Sequence, residues 1–255
     1  VNNYSSGVLS ASYDDSAITP MVGVVVKPIE TVSLYANYIE GLNKGQTVPT
    51  SAANAGQTLE PYIAKQIETG IKLDFGTIGG SISAFQITQP SAGEDPVTSV
   101  YRADNEQRNR GLELNVFGQV TRDIRLLGGV MLLDSDTTKS VDPANKGKRP
   151  VGTPEMQINL VGEWDTPFVD GLTLSGTVTH TSAQFVDVAN TQSIPEWTTL
   201  DIGARYKTEL YDTPVTIRAT VQNVTDESYY SGVNQWRFVS LGAPRTALLS
   251  LTADF

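Results

Sequence analysis

Cysteine is absent from all 255 residues, and histidine occurs once, at His180. Without thiols there is no disulfide framework, no Cys-ligated zinc or iron–sulfur cluster and no thiol nucleophile, and the redox character of the compartment leaves no trace in the sequence. A single imidazole cannot supply a multi-histidine metal site, so no metal and no cofactor are expected. Basic residues are also scarce: 18 Lys and Arg stand against 28 Asp and Glu, a formal net charge of −10. So acidic a chain lacks the cationic surface that neutralises phosphates, which argues against nucleic acid as a partner. No stretch approaches 18 consecutive apolar residues, and helical membrane spans are excluded. Hydrophobic residues make up 39% of the chain and mean hydropathy is −0.17. Those values suit a soluble protein, but a transmembrane β-barrel shares them, because its lipid face uses only every second residue. Length allows one large domain or two small ones. The chain opens on Val1 with no basic segment and apolar core of an export signal, as a mature or truncated chain would.

What the sequence holds in abundance is alternation with period two, while the 3.6-residue stripe of an amphipathic helix is hard to find. Val215, Ile217, Ala219 and Val221 alternate with Thr216, Arg218, Thr220 and Gln222. Leu172, Leu174, Gly176 and Val178 alternate with threonines and a serine, and Leu200, Ile202, Ala204 and Tyr206 with Asp201, Gly203 and Arg205. The pattern predicts an all-β, antiparallel up-and-down fold of twelve strands, at 7–13, 20–28, 32–40, 62–75, 78–89, 98–119, 124–136, 151–164, 172–185, 197–207, 214–224 and 244–255. Many of these exceed the usual 5–6 residues of a strand and match the roughly 9–11 that a tilted strand needs to cross a bilayer.

The connections fall into two alternating classes. Short ones are expected at 29–31, 76–77, 121–123, 165–171 and 208–213, and longer polar ones at 41–61, 90–97, 137–150, 186–196 and 225–243. Outer-membrane barrels have this asymmetry of tight periplasmic turns and extended outer loops. Tyr38, Phe75, Trp164, Tyr206 and Phe255 fall near strand ends, where an interfacial aromatic girdle would place them. Alternation alone leaves two solutions open, because a soluble sandwich or lipocalin-like barrel gives the same phase with its apolar side turned inward.

Eight stretches carry a resemblance: 19–28 (TPMVGVVVKP), 33–42 (SLYANYIEGL), 59–72 (LEPYIAKQIETGIK), 108–120 (RNRGLELNVFGQV), 146–160 (KGKRPVGTPEMQINL), 194–206 (IPEWTTLDIGARY), 215–230 (VTIRATVQNVTDESYY) and 242–255 (GAPRTALLSLTADF). In this order they resemble the C-terminal part of the barrel of TonB-dependent outer-membrane siderophore receptors of the ferrichrome or hydroxamate group. Asn105–Glu106 and Ile67 depart from the family's usual residues. The resemblance implies that residues 1–255 are the C-terminal region of a barrel of about 22 strands, with the family's N-terminal TonB box, plug and remaining strands outside this sequence. It further implies a gated transporter of the bacterial outer membrane rather than an enzyme. The implied partners are a ferric siderophore, the TonB complex acting through the N-terminal region, the barrel-assembly machinery and outer-membrane lipid.

A bulky, rigid iron chelate is best met by flat aromatics, which give area at low entropy cost. The candidates for ligand binding are Tyr229, Tyr230, Trp236 and Phe238 in the last long loop, with Phe185 and Trp197 beside the preceding one. Each has a plainer alternative as self-packing of a loop or part of an aromatic girdle. The polar-phase charges Glu68, Lys72, Glu113, Arg125, Asp201, Arg205 and Arg218 are expected to line the lumen, paired with one another or with the plug. Asp134 and Asp136 form an Asp-x-Asp pair without the glycine and distal glutamate of a calcium loop, and read as a solvated strand end. His180 has no catalytic partner evident in sequence, which leaves a barrel hydrolase as the weakest alternative and a passive ligand-binding barrel as the stronger one. By resemblance, Phe255 is similar to the terminal signal read by the barrel-assembly machinery.

Overall fold

The computed structural model describes residues 2–5, 8–12, 16–234 and 238–254. In chain order the strands are β1 (Asn2–Ser5), β2 (Val8–Ser12), β3 (Met21–Ile29), β4 (Val32–Asn43), β5 (Tyr62–Asp74), β6 (Ile78–Glu94), β7 (Tyr101–Gln119), β8 (Ile124–Lys139), β9 (Met156–Asp165), β10 (Leu172–Thr181), β11 (Gln184–Phe185), β12 (Ser193–Ile194), β13 (Trp197–Leu210), β14 (Thr213–Gln222), β15 (Tyr230–Val233), β16 (Val239–Leu241) and β17 (Thr246–Ala253). Eleven of them form one antiparallel sheet in the order β17-β14-β13-β10-β9-β8-β7-β6-β5-β4-β3, so each strand pairs with its neighbours along the chain. The remaining six make three small hairpins, β1-β2, β11-β12 and β15-β16.

Register decides which side chains share a face. Leu34, Ile71, Ile82, Leu114, Val130 and Ile158 stand opposite one another in turn across six strands. The adjacent row runs Ser33, Lys72, Ser81, Asn115, Gly129 and Asn159. One face of the sheet is therefore a continuous apolar band and the other a polar wall. No protein layer covers the apolar band: Leu112, Leu114 and Ile202 are 53%, 50% and 48% exposed. The buried apolar residues among the described ones are Val48, Ala52, Tyr62, Ile194 and Val215, and the first four belong to the long-loop end. A sandwich or lipocalin-like barrel needs these valines and leucines packed in a dry centre, and that arrangement is absent from the described residues.

The sheet is open, with β3 and β17 as its edges. In hydrocarbon an unpaired edge leaves backbone N–H and C=O groups without partners, so each edge needs another strand. All nine residues of β3 are exposed.

Four expected strands differ from those observed by more than a few end residues; the one expected at 172–185 ends at Thr181, and Gln184–Phe185 instead pairs with Ser193–Ile194 in a small hairpin. The segment predicted at 7–13 does not join the meander; Val8–Ser12 pairs with Asn2–Ser5 instead. Its sequence places Val8 and Leu9 side by side, without a clean apolar phase, and its nearest partner closes the shortest loop. Strand β6 continues through Pro90 to Glu94 where the prediction stops at 89. Pairing with β5 ends at Thr88, whereas pairing with β7 runs on to Glu94. At Pro90 the strand is an edge on one side, where a residue lacking an N–H is tolerated. Residues 151–155, expected to be extended, form no strand: Gly152 has a φ of 70°, and β9 begins at Met156.

Candidate functional site: the long-loop rim and the polar face

The last loop, 223–245, is anchored at its base by Asn223, which is 3% exposed with a left-handed φ of 50°. Its backbone N–H donates to the Asp201 carboxylate at 2.8 Å. Its side-chain amide donates to the carbonyls of Glu227 and Ala243 and accepts from the Glu227 N–H. Both ends of the loop are thus tied to one buried amide, a position where a left-handed backbone favours asparagine. Arg245 and Asp226 close the base from outside with a 3.0 Å ion pair.

From that base Tyr229 reaches Trp197, the first residue of β13, with ring centroids 4.5 Å apart. Gly242 makes the approach possible, because a Cβ there would lie 2.3 Å from the Tyr229 ring. Trp197 lies on the polar face, opposite Thr181, so the last loop folds over that face. Tyr230 and Phe238, in the same loop, are exposed at 44% and 69%. Phe185, in β11, accepts a backbone hydrogen bond from Gly152, and β11 touches β15. Five of the six expected aromatics thus lie in two neighbouring long loops and the strand between them. Trp197 and Tyr229 pack against each other, while Tyr230 and Phe238 stay open to solvent. Trp236 lies outside the described residues, as does Phe255.

The seven charges expected to face a lumen all lie on the polar face by register. Glu68 accepts from the Tyr35 hydroxyl, and the Lys72 ammonium sits 4.9 Å from the centre of the Tyr35 ring. Glu113 borders a recess of about 320 Å³ with Asn115, Gln157 and Asn159. Near the short turns, Arg125 donates to both oxygens of Asp165 at 2.6 and 2.8 Å and to Glu163 at 3.1 Å, while Arg205 reaches Glu163 at 3.3 Å. Thr173 completes the group by donating to Asp165. Glu163 and Asp165 were not singled out in the sequence, although their place in the polar phase of β9 carries the signal. Asp201 is the residue that anchors Asn223. Arg218 stands opposite Arg205 and makes no hydrogen bond or ion pair among the described residues.

The long loops are built by short polar motifs. Asp187 accepts from the backbone N–H groups of Gln192 and Thr191 and from the Thr191 hydroxyl. Those donors, Gln192 foremost, hold its carboxyl below the usual carboxylate range. Asp95 is held low in the same way by the N–H groups of Thr98 and Val97. His180 stands on the apolar face, opposite Ile158, with its Nδ1 2.8 Å from the Thr198 hydroxyl. Asp136 pairs with Arg108 at 3.0 Å, and Asp134 lies 3.9 Å from Arg149. Among the described residues no group of three or more His, Cys, Asp or Glu side chains is placed to hold a metal ion. Aromatic residues mark the short-turn end of the apolar face: Trp164 meets Phe168 edge-on at 5.7 Å, and Tyr206 lies on the same face, opposite Leu172.

A lipid-compatible outer band, a polar inner wall, short turns at one end and a tied rim of long loops at the other define the wall of an outer-membrane β-barrel. The family model described as TonB dependent receptor-like, beta-barrel matches residues 1–224, and the chain belongs to that family of bacterial outer-membrane proteins. It is 42% identical over 263 aligned positions to the ferrichrome receptor FcuA of Yersinia enterocolitica, across 100% of this chain and 35% of that protein. Among solved structures it is similar to BauA, the ferric preacinetobactin receptor of Acinetobacter baumannii, with a TM-score of 0.83 and 44% identity over 93% of this chain and 36% of that one. The siderophore receptor PiuA of the same organism shares the fold at a TM-score of 0.77 and 23% identity, over 91% of this chain and 35% of that one. The chain spans about a third of the length of these relatives.

Proposed function

We propose that this chain is wall and rim of a receptor that takes up a ferric siderophore of the hydroxamate type, driven by the TonB complex. One observation carries the reading: the aromatic loop 223–245 folds over the polar face and is fixed there by Asn223 and Trp197. In this reading the open aromatics stand at the mouth of a polar passage, where a chelate arriving from outside meets them first. The 42% identity to a ferrichrome receptor supports the hydroxamate class. In this reading Tyr230, Trp236, Phe238 and Phe185 offer contact area, and Trp197 and Tyr229 hold the loop in place. Glu68, Lys72, Glu113, Arg125, Asp201, Arg205 and Arg218 line the passage. Arg218, beside Arg205 and without a partner among the described residues, calls for an acidic partner brought by a plug. The barrel-assembly machinery would insert the strands, and outer-membrane lipid would cover the apolar band. The chain's relatives are receptors, and with His180 facing the apolar side the reading includes no catalysis.

The test is uptake of iron-55 ferrichrome by cells that make the full-length receptor and lack other hydroxamate receptors. Uptake that disappears when TonB is deleted supports the proposal. Uptake that persists without TonB favours a passive ligand-binding barrel, and absence of ferrichrome binding removes the hydroxamate assignment.

A further inference from the structure

Two asparagines, far apart in sequence, fasten long loops to one another by the same chemistry. Asn190 accepts from the Arg149 N–H at 2.8 Å and donates to the Arg149 carbonyl at 2.9 Å. Asn54 accepts from the Tyr101 N–H at 2.8 Å and donates to the Tyr101 carbonyl at 3.0 Å. In each case a side-chain amide pairs with both polar groups of one backbone residue, as a neighbouring strand would. Each asparagine satisfies a donor and an acceptor that no strand partner meets: Arg149 lies in a loop, and Tyr101 opens β7 before its pairing with β8 begins at Glu106.

The two clasps join different parts of the rim. Asn54 belongs to loop 44–61 and holds the tip of the β6-β7 hairpin, where the Ala53 N–H also donates to the Ser99 carbonyl. Asn190 belongs to loop 182–196 and holds loop 140–155. Around it, the Gly152 N–H donates to Phe185, and Gly152 lies so close to the last loop that a Cβ would meet the Val233 carbonyl at 2.4 Å. Asn190 is presented by the turn that Asp187 caps, with a left-handed φ of 58°.

The geometry points to Asn190 as a positioning residue: its clasp joins loops 140–155 and 182–196, which through Gly152 and β11 adjoin loop 223–245 and set Phe185 beside the last loop's aromatics, while Asn54 ties loop 44–61 to the β6-β7 tip, and the two groups meet where the Val141 N–H donates to the Asn105 side chain at 2.8 Å. Loss of either clasp should then loosen its own group of loops more than the other. This rests on the reading of the rim as the ligand-facing side, but the grouping of the loops can be measured without any ligand.

Hydrogen exchange of the full-length receptor in lipid nanodiscs tests it, comparing wild type with Asn190→Gly and Asn54→Ala. Glycine keeps the left-handed backbone at position 190 without strain, so that variant removes the side chain without forcing the turn into another conformation. Loss of the two hydrogen bonds to Arg149, together with the longer one to the Asp187 carbonyl, should speed exchange about tenfold or more in 147–152 and 184–192 together, with 44–59 and 95–101 unchanged. Asn54→Ala should give the reverse pattern. Unchanged exchange of 147–152 in Asn190→Gly, or equal acceleration of both groups by either variant, overturns the proposal. A second arm follows dissociation of ferrichrome. Faster release from Asn190→Gly is expected, and an unchanged rate, with wild type binding, overturns the positioning role. Failure of ferrichrome to bind wild type would count against the hydroxamate reading and leave the exchange result standing.

Discussion

Single carboxylates and amides shape the rim, and their protonation is legible in its stability. Asp187 has its pKa lowered by the N–H groups it caps, so the capped turn is favoured most when the carboxylate is ionised. A group with a depressed folded pKa contributes stability that is complete above its unfolded value, about 4, and is lost as pH falls through the folded value. Protection factors of the Thr191 and Gln192 amides should therefore hold steady at neutral pH and fall in the acid range below about 4. Asp187→Asn should lower them at neutral pH and flatten the dependence. Exchange measured across pH, corrected for intrinsic rates, checks both. None of these roles was visible in periodicity. A residue such as Asn190 works through the backbone of a loop 41 positions away, and sequence spacing holds no record of that proximity. The DVANT stretch at 187–191 does carry turn chemistry, which is the only trace that Asn190 left.

At the scale of the element, the strands were legible because burial of one face imposes period two, and the boundaries failed where that constraint stops. Above the apolar band β6 and β7 continue as a two-stranded ribbon, so hydrophobic phase no longer marks their ends. The tight turns obey their own chemistry. Tyr211 and Asp212 join β13 to β14 with φ values of 50° and 62°, the two left-handed positions of a two-residue hairpin. Glycine takes the second of these with least strain. Asp212→Gly should stabilise the full-length receptor by about 0.5–1 kcal/mol, read as a higher denaturant midpoint. No gain would mean that Asp212 makes a compensating contact in the assembled barrel.

For the whole molecule, the assignment of lipid to one face and a passage to the other yields a paired experiment. Leu114 and Asn115 are neighbours on β7, and register sends them to opposite faces. Leu114→Arg should destabilise the folded receptor by about 2–4 kcal/mol in a bilayer, the cost of a cation on the lipid face near the midplane. Asn115→Arg, on the polar wall, should cost far less. Folding titrations into phospholipid vesicles measure both, and equal penalties would contradict the orientation of the sheet.

Composition, alternation and loop lengths were enough to determine an antiparallel meander, the two faces of its strands and the end that carries the long loops, because each follows from the local period of the backbone. They could not decide whether the apolar face is packed against protein, since inward and outward solutions share one phase. Tertiary structure decided it by leaving that face uncovered. It also brought Trp197 to Tyr229, Asp201 to Asn223 and Asn190 to Arg149, pairs whose meeting depends on how distant loops fold over the sheet and on no periodicity in the chain.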